Sequence, residues 1–181
     1  MRLLPAFLAL ALAAPATAQT AEDGFKAYDA GDYETAKSIF LPLAEAGDRR
    51  AMNAVGLLYA NGNALPRDRK QACDWYEKAA LAGYRSAQGN FASCYGQLGG
   101  RTKNLEKAIE WNERAALRGD VESQVELLRL YREKDPQAAR KWGEEAAKAG
   151  SITARFLMEE YGFPYSGPRP TRFEKYCYIL M

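Results

Sequence analysis

A glycine stands at positions 47, 83, 119 and 150, at spacings of 36, 36 and 31 residues. Trp75, Trp111 and Trp142 keep the same frame, and Tyr59, Tyr95 and Tyr131 keep it too. Three residue types in one register mark an array of like units rather than a single folded motif. The units run over about 20–50, 51–86, 87–122 and 123–152, with a half-unit over 153–161. The first and fourth are five residues shorter than the others between their Tyr and the second half of the unit.

Each unit predicts two helices. From Ala51 to Ala60 the apolar Val55, Leu58 and Tyr59 lie three and four apart, on one helical face. Asn61-Gly62-Asn63 ends that helix, since Gly and Asn accept the left-handed conformation. Asp68 is placed to cap a second helix running to about Leu81, with Ala72, Trp75, Tyr76, Ala79 and Ala80 as its apolar stripe. In the fourth unit Asp135 takes the cap and Pro136 the first helical position. Composition agrees: the 181 residues hold 32 Ala against three Val and four Ile. A hairpin of this size cannot bury its stripe alone, so the units must stack. Small residues at Gly56, Ala92, Ala72, Ala108 and Ala139 let helices approach, and Trp, Tyr and Leu fill the gaps.

The chain has no His, which removes the usual base of Ser-His and Cys-His catalysis and the usual ligand of catalytic zinc. It has no Walker loop, no GxGxxG, no CxxC and no metal-ligand cluster, so we expect no cofactor and no enzyme activity. Residues 1–18 read as a secretory signal peptide: Met1-Arg2, an apolar run from Leu3 to Ala14, then small residues at Ala16 and Ala18. Cleavage after Ala18 predicts a periplasmic or secreted chain, Gln19 to Met181. The apolar run falls short of the ~20 residues that span a bilayer, so no stable membrane insertion is expected after cleavage. With 25 basic and 23 acidic residues the charge is nearly balanced, which gives no electrostatic reason for a nucleic-acid partner.

The pattern A-x-x-x-[V/F]-[G/A]-x-x-Y, a loop, then A-x-x-W-[Y/N]-x-[K/R]-A-A-x-x-G resembles the Sel1-like repeat, a relative of the tetratricopeptide repeat. The likeness covers about Thr20 to Tyr161, with Trp75-Tyr76, Lys78-Ala79-Ala80 and Ala115-Ala116 matching closely. Four positions depart from it: Ala64 and Leu98 stand where the loop pattern has Gly, Asn104 where it has Asp, and Leu128 where it has a small residue. The resemblance implies an all-α, right-handed solenoid of about four hairpins. It also implies a protein-interaction role, as scaffold, adaptor or regulator, with a protein or peptide partner in the cell envelope.

By analogy with tetratricopeptide grooves, the partner surface is the concave face. It takes in Lys26 and Asp29 of the first unit, then Asn53, Leu57 and Asn61. Asn90, Ser93 and Gln97 follow, then Glu126, Arg129 and Arg132. Side-chain amides suit an extended peptide backbone, and Arg129 with Arg132 suits a carboxylate. The alternative is a β-lactam- or cell-wall-related enzyme or binding protein, a role linked to some secreted relatives. That chemistry usually uses S-x-x-K, and no Ser here has a Lys three residues on. A purely structural subunit of an envelope complex is a third class.

Three cysteines in an exported chain invite a disulfide. In an antiparallel stack the start of one second helix meets the end of the next first helix. That pairs Cys73 with Cys94, against the alternative of two buried free thiols. The resemblance lends this pair no support. Cys177 falls in a tail, 162–181, where Pro164, Pro168 and Pro170 interrupt helix. Two readings of the tail stay open. One is a strap that packs Phe173, Tyr176 and Ile179 over the last seam; the other is a partner-binding extension.

Overall fold

The computed structural model describes residues 19–165 and 167. The expected signal peptide, Phe173, Tyr176, Cys177 and Ile179 lie outside the described residues. Within them the chain forms nine α-helices and no strand. In order these are α1 Ala21–Asp29, α2 Tyr33–Glu45, α3 Arg49–Asn61, α4 Arg69–Leu81, α5 Arg85–Cys94, α6 Leu105–Ala116, α7 Val121–Tyr131, α8 Pro136–Lys148 and α9 Ile152–Glu160. Each helix packs on the next in sequence, and α7 also meets α9. The result is an all-α helical repeat solenoid.

Caps set the helix ends. Asp48, Asp68, Asp120 and Asp135 each accept bonds from backbone N–H groups in the first turn that follows. Such caps contribute ~1 kcal/mol apiece. Gly62 closes α3 in the left-handed region at φ 78°. The first helices of the middle units begin at Arg49, Arg85 and Val121, ahead of the boundaries at 51, 87 and 123, because the cap residues precede the apolar frame. In the third unit Leu98 replaces the left-handed glycine. There α5 stops at Cys94, and Gly99 takes the positive φ instead.

Buried clusters straddle neighbouring units. One joins α2 to α3 through Phe40, Ala44, Val55 and Leu58. The next joins α4 to α5 through Tyr76, Ala79, Ala80 and Phe91. Val125, Leu128, Ala146, Leu157 and Met158 join α7, α8 and α9. Fully buried side chains such as Phe40, Phe91 and Leu127 each stabilise by about 1.5–3 kcal/mol, so the seams hold the stack together.

Residue sizes are matched across each hairpin. A Cβ on Gly56 of α3 would stand 2.5 Å from Tyr76 Cε1 of α4, so only glycine makes room for that ring. In the frame of the repeat these positions become Ala92 and Asn112, then Leu128 and Gly143. In the fourth unit the order of sizes is reversed. Leu128 is fully buried, and a Cβ on Gly143 would stand 3.2 Å from its Cδ2. The departure at Leu128 is therefore compensated by the loss of a side chain opposite it.

Cys73 and Cys94 are joined by a disulfide, with Cα atoms 5.9 Å apart and both residues fully buried. It ties α4 to α5 across the boundary between units. The following loop lies directly on it: a Cβ on Gly100 would stand 2.3 Å from Cys73 Sγ. Arg101, the next residue, reaches back to Asp74 at 2.8 Å and Glu77 at 2.7 Å on α4. This clamp joins two halves of neighbouring units, so no reading within one unit finds it.

Candidate functional site

The α5 and α7 helices stand side by side with α6 behind them, and a groove of about 520 Å³ opens between them. The approach is close at the bottom. A Cβ on Gly89 of α5 would stand 2.7 Å from Ser123 Oγ of α7. One groove edge carries Asn90 and Ser93 of α5 with Gln97 in the turn that follows, and the edge on α7 carries Glu122, Glu126 and Arg129. Ala108 and Asn112 of α6 form the floor. Asn112 faces this space because its counterpart in the preceding unit, Tyr76, is replaced by a shorter side chain.

The polar groups of the groove are mostly acceptors. Asn90 Nδ2 donates to Asn53 Oδ1 at 2.8 Å. Asn112 Nδ2 donates to the Ala108 carbonyl at 2.9 Å. Both amides thus spend a donor inside the protein, and each has a carbonyl oxygen besides. Ser93 Oγ donates to the Asn90 carbonyl at 2.6 Å. Gln97 Nε2 donates to Glu126 at 3.1 Å, and Arg129 pairs with the same carboxylate at 3.2 Å. Asp120, Glu122 and Glu126 outnumber the one cation, Arg129, so the groove is acidic. Ser123 lies at its base, 2% exposed, with Oγ unpartnered among the described residues.

The structure brings together five of the residues anticipated from the repeat positions: Asn90, Ser93, Gln97, Glu126 and Arg129. The others lie elsewhere. Asn53 is 4% exposed and holds Asn90 from behind. Leu57 packs on the core between units. Asn61 Nδ2 donates to the Tyr28 hydroxyl at 3.1 Å. Lys26 faces Asp23 on its own exposed helix, and Asp29 ends that helix. Arg132 lies over the Tyr161 ring, 4.6 Å from its centre, and does not line the groove. A carboxylate clamp of Arg129 with Arg132 is therefore not formed: each guanidinium has its own neighbour. Asn112, Asp120, Glu122 and Ser123 were not anticipated. The first comes from the floor helix, and the rest from the N-cap and first turn of α7, before the repeat positions used for the groove.

Among the described residues no group of His, Cys, Asp and Glu is arranged to hold a metal ion, and no helix is long and apolar enough to cross a membrane.

The sequence pattern described as "Sel1 repeat" matches residues 49–84, 86–120 and 129–151. These segments coincide with α3–α4, α5–α6 and the part from the end of α7 through α8. The fold is similar to a Sel1 repeat protein from Oxalobacter formigenes, with TM-score 0.71 and 28% identity, covering 89% of this chain and 68% of that one. It is also similar to c5321, a protective antigen of uropathogenic Escherichia coli displaying an SLR fold. There the TM-score is 0.70 and the identity 31%, over 78% of this chain but only 33% of the antigen. No curated protein matches the chain.

Proposed function

This chain belongs to the Sel1 repeat family, and from that premise we propose that it is a periplasmic or secreted interaction module holding an extended segment of a partner protein between α5 and α7. Sel1 repeat proteins generally mediate protein–protein interaction, and their helical stacks are typically non-catalytic scaffolds. The observation that carries the reading is the groove itself. It is about 520 Å³ in volume and lined by side-chain oxygens from helices of two units. Such a surface suits the N–H groups of an extended backbone and a Lys or Arg side chain beside Glu122 and Glu126. The reading of residues 1–18 as an export signal supports a partner in the envelope or outside the cell.

The test is site-specific photocrosslinking in the producing cell. A crosslinker at Ser93 should trap one discrete partner, and Glu126→Arg should abolish the adduct. A crosslinker at Gln137, on α8 outside the groove, should not trap it. Equal adducts from both positions, or adducts indifferent to Glu126→Arg, would sink the groove assignment. N-terminal sequencing of the secreted or periplasmic protein should begin at Gln19; an intact Met1 would remove the export part of the reading.

A further inference from the structure

Beside the groove, on the other side of Ser86, lies a second cleft of about 410 Å³, lined by Arg49, Gly83, Tyr84, Arg85, Ser86 and Arg118. Three of these six residues are arginines and none is acidic. They come from the starts of α3 and α5 and from the turn after α6, and converge on one turn. A Cβ on Gly83 would stand 3.8 Å from Arg118 Nη1 and 3.9 Å from Arg49 Nη1. Gly83 has φ +79°, so the backbone there is bare and the guanidinium groups meet over it.

Local electrostatics disfavour this placement, exposed as the three side chains are, and an anion would relieve it. Arg49 and Arg85 are the first residues of α3 and α5, the positive ends of those helices, where a cation is unfavourable. None of the three arginines forms an ion pair among the described residues. Most other arginines of this fold do, Arg101, Arg114, Arg129 and Arg140 among them. A purely structural role accounts for only part of the arrangement. Arg85 Nη1 donates to the Arg118 carbonyl at 3.1 Å and Arg118 Nη1 to the Gly83 carbonyl at 3.2 Å, a staple between successive turns. That staple uses one of the five donors on each side chain, and Arg49 takes no part in it. The start of α5 adds to the demand. It is the one described helix whose N-cap, Tyr84, gives no side-chain bond to the first turn.

We propose that the cleft between Arg49, Arg85 and Arg118 binds an oxyanion of the phosphate type. Planar guanidinium groups match the oxygens of such an anion in pairs, and the staple holds two of them in place beforehand. The cleft exceeds the needs of a bare ion, so the anion is a group carried on a larger molecule. Its position next to Ser86 puts this charge at the end of the acidic groove, but the site does not depend on what the groove holds.

The test is titration of the purified protein with inorganic phosphate at low salt, followed by the backbone amide NMR signals of Ser86 and Ala87. Saturable shifts are expected, absent with sodium chloride at matched ionic strength. Arg49→Gln should weaken binding, and Arg49→Gln with Arg85→Gln should weaken it by about tenfold or more. The Arg49 side chain makes no hydrogen bond among the described residues, so the single variant keeps the test valid if the double variant unfolds. Vesicles of phosphatidylglycerol, against phosphatidylcholine, separate the sources of the phosphate group. Arg49-dependent binding of phosphate alone assigns a soluble ligand. Arg49-dependent cosedimentation with phosphatidylglycerol assigns a lipid headgroup. Binding of neither probe, or binding unaffected by Arg49→Gln, overturns the proposal.

Discussion

The ring of Tyr76 lies where a side chain on Gly56 would begin, 2.5 Å from the Cβ that glycine lacks. Gly56→Ala therefore forces the ring or the α3–α4 crossing to move, and overpacking of this kind costs about 1–3 kcal/mol. Pairing it with Tyr76→Asn recreates the sizes found at Ala92 and Asn112 one unit later. In denaturant titrations the double variant should lose less stability than the sum of the two single variants. Simple additivity would mean that the two positions do not share one space.

Asn90→Ala should destabilise the protein even though Asn90 lines the groove. Its Nδ2 satisfies Asn53 Oδ1 on a residue only 4% exposed, and an orphaned buried acceptor costs about 1–3 kcal/mol. Gln97→Ala, on an exposed residue, should leave the melting temperature nearly unchanged. If the two variants melt alike, the Asn53–Asn90 bond contributes nothing to stability.

Reduction of Cys73–Cys94 should lower the denaturation midpoint. The bond closes a loop with a sequence separation of 21 residues, for which loop entropy predicts about 3 kcal/mol. The Cys73→Ala/Cys94→Ala double variant should match the reduced protein and show no further response to reductant. An unchanged midpoint on reduction would contradict the assignment.

Ala64→Gly should raise stability. Ala64 has φ 56°, the one non-glycine positive φ among the described residues. Relief of the left-handed strain, offset by the freedom glycine gains in the unfolded chain, leaves a gain of about 0.5–1 kcal/mol. Lys37 donates to the Ala64 carbonyl at 3.3 Å, a backbone contact that the substitution preserves. A drop in melting temperature would show that the strain is absent.

Stability should fall above pH 10. Burial, then the hydrogen bond and charge of Glu113, push the Tyr131 phenol from 10.0 up to about 12. Burial also raises Tyr76. The folded protein holds these protons after the unfolded chain has released them. Their contribution is thus complete below the unfolded value near 10 and is lost as pH rises through the folded one. Tyr131→Phe should make the loss of stability between pH 10 and 12 shallower. A slope identical to the parent's would exclude Tyr131 from it.

Helix ends and hairpins were legible because their causes are local. Asp68 caps α4 and Asp135-Pro136 opens α8, as a few residues of sequence dictate. The disulfide was legible because the stack follows from the frame, and the frame puts Cys73 and Cys94 at facing helix ends. The groove was legible only in part. Repeat positions name one face of each first helix, but adjacent helices bury some of that face. Asn53 and Leu57 went inward for that reason, while Asn112 on a second helix became the floor.

The sequence by itself determined the unit: its period, its two helices, their caps and the small residues where they cross. These depend on contacts within a few turns of one chain segment. Only the tertiary structure decided which units meet and which side chains face one another. Arg49, Arg85 and Arg118 come from the starts of α3 and α5 and from the turn after α6, and no pattern within one unit brings all three to Gly83. The reversal from Gly56–Tyr76 to Leu128–Gly143 likewise has meaning only across a packed interface, where the volume of one side chain is set by the other.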